Sequence, residues 1–362
     1  MPKLTACILA LAAMLLPLVA VGQEVDWNVD ASVVANNREG GDEMTPDQTF
    51  MFTRLAGEVG LSLDGGTHRL MAGAAWYQPM RDDCGGYKVL PTVYYNYRKD
   101  GVELALGMLP RTLMAEKAPT YLFSDSLNYL TPNVRGALAQ YTCDKGHAMV
   151  LLDWRQMQTN TRREAFNVLL NGQRHIAGDL WIGGWAQLNH LAKRKNAPED
   201  EGVNDDISIN PMARLDLARH TSLDKLTLEA GALIQLQRAR IEHEWRTPCR
   251  FVARANARWR WLEATEEFST GKDAFPLYPA FGSQLNLGDP YYRYKTYSRT
   301  DVRAHIINNR FVDLSASLMF HAATGVTGFW QQVSCRFYLD SRLWKRRTDK
   351  TWMKQQKLNS IF

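Results

Sequence analysis

The sequence lacks what would make it a helical membrane protein, a metalloprotein or a disulfide-stapled secreted domain. After residue 21 no run approaches the ~18–20 consecutive apolar residues of a spanning helix, and mean hydropathy is −0.34. Five cysteines among 362 residues give no disulfide framework; Cys7 falls in the leader, and Cys84 and Cys249 fall in candidate loops where they could pair. Cys-x-x-Cys and His-x-x-x-His spacings are absent, so neither a metal nor a cofactor is expected. The G-x-S-x-G elbow and H-E-x-x-H are also absent. There is no Ser/Gly-rich linker and no internal repeat. The formal charge of +5 is uneven: from Ser341 onward Arg342, Lys345, Arg346, Arg347, Lys350, Lys354 and Lys357 face Asp349 alone. The body that remains is slightly acidic and offers no nucleic-acid groove.

What is present begins with a leader. Met1-Pro2-Lys3 is a basic start, Leu4 to Val21 is almost wholly apolar, and Ala20-Val21-Gly22 supplies small residues before Gln23. Residues 1–22 read as a cleaved secretory signal. Residues 23–340 then show one pattern repeatedly. In Phe251–Trp261, Phe251, Ala253, Ala255, Ala257, Trp259 and Trp261 alternate with Val252, Arg254, Asn256, Arg258 and Arg260. A period of two puts these sets on opposite faces of a strand. Similar segments recur from Val25 to Asp340, about 16 in all, most near the ~9–11 residues of a tilted membrane strand. Short turns at Asp64–Gly66, Lys99–Gly101, Asp144–Gly146, Gly172–His175, His220–Asp224, Leu262–Ala264 and Asn308–Arg310 alternate with longer loops. That rhythm predicts an all-β transmembrane antiparallel up-and-down β-barrel of the outer membrane, with short periplasmic turns and long extracellular loops. Residues 341–362 read as a basic periplasmic tail.

The strings Thr53-Arg54-Leu55, Leu152-Asp153-Trp154-Arg155, Arg163-Glu164-Ala165-Phe166-Asn167 and Gly288-Asp289-Pro290-Tyr291-Tyr292 are similar to those of porin-type outer-membrane β-barrels of Gram-negative bacteria. In particular the chain resembles uncharacterised barrel proteins of Bacteroidota, over most of its length up to Asp340. The resemblance implies the fold and the outer membrane, and with them outer-membrane lipid and the barrel assembly machinery as partners. One departure is the tail between the last strand and the terminal aromatic Phe362.

A barrel of this size encloses a water-filled lumen by default, so the expected function is passive passage of small polar solutes, without catalysis and with no catalytic residues assigned. The expected lumen lining is Arg54, Glu58, Arg214, Asp216, Glu229, Arg254, Arg258, Arg260, Asp301, Arg303, Asp313 and Arg336. Charged rings of this kind set selectivity; the same residues would equally form ion pairs in a filled interior. Two long loops carry Tyr121, Phe123, Asp125 and Tyr129, and Tyr278, Phe281, Tyr291 and Tyr292. These are expected to build a constriction or to contact a ligand. Two alternatives stay open. One is a structural, export or docking component. The other is a barrel enzyme acting on lipid, for which His305 and His321 beside Ser315 and Ser317 are the pairs to inspect. Asp205-Asp206 and Glu199-Asp200-Glu201 read as a solvated or weakly Ca²⁺-binding acidic loop rather than as acid/base machinery. Oligomeric state is left open.

Overall fold

A computed structural model describes residues 23–43, 45–80 and 86–345. The leader and residues 346–362 of the tail lie outside the described residues, as does Cys84; Cys249 is a free thiol. The strands are β1 Glu24–Glu39, β2 Gln48–Leu63, β3 His68–Pro79, β4 Lys88–Lys99, β5 Val102–Pro110, β6 Asn133–Cys143, β7 Gly146–Gln156 and β8 Ala165–Ala177. They continue as β9 Leu180–Leu191, β10 Asn204–Asp216, β11 Lys225–Ala239, β12 Glu244–Arg246, β13 Cys249–Trp259, β14 Leu262–Gly271, β15 Thr296–Asn308, β16 Val312–Ala323 and β17 Val326–Asp340. Each pairs antiparallel with its neighbours, and β17 pairs back onto β1 from Asn28↔Asp340 to Glu39↔Phe329. β12 is a three-residue pairing within the β11–β13 connection, so sixteen strands close the barrel. Closure leaves no strand edge for hydrocarbon to meet.

Alternation explains the wall. On β13, Phe251 and Trp259 stand outward and exposed, whereas Val252 and Asn256 are buried inward. On β4, Val89, Val93 and Tyr95 face out while Thr92, Tyr94 and Asn96 are buried. An outer surface this rich in exposed Leu, Val, Phe and Trp suits lipid and not water. The protein is an outer-membrane β-barrel.

The turns follow backbone chemistry. Asp100 and Gly101, with φ of 50° and 80°, give the left-handed pair that a tight two-residue hairpin requires. Two expected turns move. β8 runs through Gly172 to Ala177, with a register shift near His175, and turns at Gly178-Asp179. The β13–β14 turn is Arg260-Trp261, not Leu262–Ala264, because Trp259 already pairs with Leu262. The long-loop end also has one short turn, Thr324-Gly325, between β16 and β17. Of the basic tail, a short helix Ser341–Lys345 is described; Ser341 Oγ donates to Asp26 at 2.7 Å and ties it to the short-turn rim.

Candidate functional site at the outer rim

The lumen is closed on its outer side. Residues 111–132 and 272–295 fold inward from the long-loop end, and Tyr121, Leu122, Phe123, Phe275, Tyr291 and Tyr292 form one buried cluster with Leu109, Leu169 and Tyr297 of the wall. Polar groups of the wall fix this plug. Glu267 accepts from Thr120 Oγ1 (2.5 Å) and Tyr292 Oη (3.1 Å). Asp206 accepts from Asn286 Nδ2 at 2.9 Å, and Arg299 donates to Asp125 at 2.6 Å. Arg38 donates to Tyr129 Oη at 2.9 Å. Tyr278 and Phe281 belong to a short helix, Tyr278–Phe281, at the rim of the plug, where Arg163 lies over the Phe281 ring. Below the plug a cavity of about 1380 Å³ occupies the short-turn half.

Two plug carboxyls have opposite electrostatics. Burial opposes ionisation of Asp125, but Lys117 and Arg299 outweigh it and hold the group well below the usual carboxylate range. Burial pushes Asp289 up to about 6, because the Arg299 charge and the Tyr291 N–H only partly offset it. The raised value means that Asp289 costs nothing below its unfolded value near 4 and destabilises the plug as pH rises through 6. Asp289→Asn retains an oxygen to accept the Tyr291 N–H. It is expected to stabilise the barrel on the order of 2–3 kcal/mol at pH 7.5 and not at pH 3.5. Thermal unfolding at the two pH values checks this; equal gains at both would refute it.

The expected lining residues separate into three groups. Arg54, Glu58, Arg214, Asp216, Arg258, Asp313 and Arg336 line the inner cavity. Arg54 and Arg336 both pair with Asp30, and Arg214 pairs with Glu229 and Glu116. Arg254, Asp301 and Arg303 face inward around the plug or beside it; Arg254 pairs with Glu267, Asp301 with Arg299, and Arg303 donates to Ser317. Arg260 is a correction. It occupies the β13–β14 turn at φ 53° with its guanidinium over the outward Trp259 ring, because the strand ends at Trp259 before the next inward position. The His/Ser pairs of the lumen do not form either. His321 stacks on Tyr291 and packs at a tilt against Trp330, His305 lies between Glu263 and Asp313, and Ser315 bonds to Ser334.

A different histidine meets a carboxylate on the outer face. His190 ends the outward series Ile182, Gly184, Ala186, Leu188 of β9, one residue before the strand stops. Asp205 begins the outward series of β10 and is its register partner. His190 Nδ1 lies 2.7 Å from Asp205 Oδ1, and Arg240 donates to the same carboxylate through Nε (2.7 Å) and Nη2 (3.2 Å). The imidazole stacks on Phe166, which stacks on Trp154. Asp205 and Asp206 are thus not a solvated acidic pair. Being adjacent strand residues, they point to opposite faces, Asp206 to Asn189, Gln237 and Asn286 inside and Asp205 to His190 outside.

Behind this dyad Arg163 donates to the carbonyls of Leu191, Ala192 and Gly202, which fixes the 192–203 loop. Lys193 and Lys195 are exposed in that loop, and Arg238 lies over the Trp245 ring beside it. A carboxylate on Nδ1 sets the tautomer that leaves Nε2 as a proton acceptor. The rim therefore presents a held imidazole base and basic side chains together on the outer face, at the long-loop end of the strands.

The model of the lipid A 3'-O-deacylase-type family matches residues 20–345. The chain belongs to that family. This membership corrects the expectation of a barrel without enzymatic activity, since the family is one of deacylase type. Among solved structures the deacylase-type barrel is similar to the outer membrane protein OprD from Pseudomonas aeruginosa, at 9% identity and a TM-score of 0.52, over 87% of this chain and 94% of that one. It is also similar to a loop L8 deletion mutant of OmpT, an outer membrane protein of Vibrio cholerae, at 9% identity and 0.51, over 88% and 100%. At such identities the likeness concerns the fold. No curated protein matches the chain.

Proposed function

We propose that this barrel hydrolyses an acyl ester of a lipid A-type lipid in the outer leaflet, with His190 as general base. The carrying observation is the His190–Asp205 dyad on the lipid-facing side of the outer rim. Water is the nucleophile. Nε2 of His190 takes a proton from it as its oxygen adds to the ester carbonyl carbon. The tetrahedral adduct then expels the alcohol oxygen, which recovers that proton from Nε2. The products are a free fatty acid and a free hydroxyl on the lipid. Asp205 keeps the ring in the required tautomer and stabilises the imidazolium, and Arg240 keeps Asp205 in place. Lys193, Lys195 and Arg238 suit an anionic headgroup.

Passage of small polar solutes draws support from the charged inner cavity, but the plug argues against a steady open path. The test is incubation of the purified barrel, in detergent micelles, with lipid A. Mass spectrometry is expected to detect released fatty acid and a lipid lighter by one acyl chain. Intact lipid after prolonged incubation at neutral pH would sink the proposal.

A further inference from the structure

The plug closes the barrel on its outer side, so the cavity beneath it is a cup that opens at the short-turn rim, where Gly101, Cys143, Gly146 and Asn309 lie on its wall. Most arginines of the cup are matched to carboxylates. Arg54 and Arg336 pair with Asp30 (2.8 and 3.0 Å), Arg69 with Asp26 (2.8 Å) and Arg98 with Glu103 (2.6 Å). Arg214 pairs with Glu116 (3.2 Å) and Glu229 (2.7 Å). One sector departs from this rule. Lys225 of β11 and Arg258 of β13 both line the cavity, and they are register partners. Among the described residues neither is in an ion pair with a carboxylate.

The carboxylates of that sector are engaged elsewhere. Glu263, the other register partner of Arg258, accepts from Asn256 Nδ2 at 2.8 Å and lies 3.2 Å from His305 Nε2. Asp313 lies 3.5 Å from His305 Nδ1, and Asp216 accepts from the Ala218 N–H at 3.3 Å. Like charges directly opposite each other in an antiparallel pair are destabilising. A wall whose other cations are matched thus carries one unmatched pair at a cost to stability.

The pair offers donors only. Lys225 has three, and the Arg258 fork uses one on the Arg260 carbonyl at 3.3 Å. Asn309 adds an amide, since its Oδ1 accepts from the Phe311 and Val312 N–H groups and leaves its NH₂ to the cavity. Donors without an acceptor suit an oxyanion. Charge decides which one: a phosphate monoester carries nearly two negative charges at neutral pH and matches two adjacent cations better than a carboxylate with one. The cup, at about 1380 Å³, exceeds even the ~300–1,000 Å³ of ordinary small-molecule pockets. It has room for the body of an ester as well as its phosphate.

We propose that the cup binds a phosphorylated small polar solute from the periplasm, with Lys225 and Arg258 on its phosphate. Because the plug blocks the far end, the solute is held and leaves by the way it entered. The site is independent of the lipid-hydrolase reading, as it lies at the other end of the barrel from His190.

The test is calorimetric titration of the full barrel, in micelles of an uncharged detergent at low ionic strength, with glucose 6-phosphate, inorganic phosphate, glucose and acetate. Saturable binding of glucose 6-phosphate is expected, roughly tenfold or more tighter than that of glucose or acetate and weaker as salt is added. Arg258→Gln and Lys225→Met are each expected to weaken it about tenfold, in line with the loss of a charge-assisted hydrogen bond. Lys225→Met relieves the like-charge contact, so its melting temperature without ligand is expected to match or exceed that of wild type; should Arg258→Gln fail to fold, Lys225→Met decides alone. Arg260→Gln alters the turn residue over the outward Trp259 ring and is expected to leave binding unchanged. Absence of saturable ester binding, binding of inorganic phosphate alone, or acetate bound as tightly as the ester would overturn the proposal. An equal loss in Arg260→Gln would also overturn it, by moving the anion to the outside of the rim, as would a lower melting temperature for ligand-free Lys225→Met.

Discussion

His190→Gln is expected to lower lipid deacylation by about 10²–10⁴-fold while leaving the barrel folded. Glutamine is close to histidine in size and can still donate to Asp205, so the rim geometry survives while the proton acceptor is lost. Asp205→Asn is expected to fall in the same range, for a different reason: an amide oxygen accepts from Nδ1 but cannot stabilise the imidazolium, and its NH₂ favours the wrong tautomer. The two losses should not add, because both residues serve one proton transfer. His190→Gln/Asp205→Asn should therefore be about as slow as the slower single variant. The measurement is the initial rate of fatty-acid release at saturating lipid, with heat-modifiable mobility on gels as the folding check. A folded His190→Gln variant within threefold of wild type would remove His190 from the chemistry. Fully multiplicative losses would separate Asp205 from it.

The architecture was legible because a strand of period two writes both faces into the sequence. Phe251 to Trp259 needed no tertiary information to be assigned one lipid side and one inner side. Turn positions were less secure where a strand continues through a glycine. Gly172 looks like a turn residue, yet β8 runs five residues past it, since its neighbours' pairing with β7 and β9 outweighs local propensity.

The rim dyad was within reach of the same alternation. Ile182, Gly184, Ala186, Leu188 and His190 form one outward series, and Asp205, Ile207 and Ile209 form the next. Each ends in a titratable residue beside the same loop, and antiparallel pairing sets them opposite each other. What hid them was reading Asp205-Asp206 as loop composition instead of as the first turn of a two-faced strand.

The sequence pointed to the two long aromatic loops as a constriction or a ligand contact but not to a complete plug. Tyr121, Phe123, Tyr291 and Tyr292 are as compatible with an exposed sugar-binding loop as with a core, and only the space inside a closed barrel decides between them. Arg299 is what makes the plug testable. It is 2% exposed and donates to Asp125 of the plug at 2.6 Å and to Asp301 of the wall at 2.7 Å. Arg299→Met would leave two carboxylates facing each other without their shared cation. Breaking a buried pair from one side costs about 3–5 kcal/mol, enough to detach the 111–132 loop from β15.

The barrel wall is held by sixteen strand pairings that this change does not touch, so the loss should appear first as an opened lumen. In planar bilayers wild type is expected to stay closed, and Arg299→Met to show frequent conducting events together with a lower melting temperature. Neutralising the carboxylate that loses its ion-pair partner, in Arg299→Met/Asp301→Asn, should restore part of the stability, because the penalty lies in unpaired buried charge, whereas Asp125 keeps Lys117 at 3.1 Å. The wild-type anchor is also expected to persist through mildly acidic pH. The Asp125 carboxyl is held well below its usual value, so its contribution is complete above about 4 and fails only as pH falls through that depressed value. A silent Arg299→Met bilayer with an unchanged melting temperature would show that the aromatic cluster alone seals the barrel.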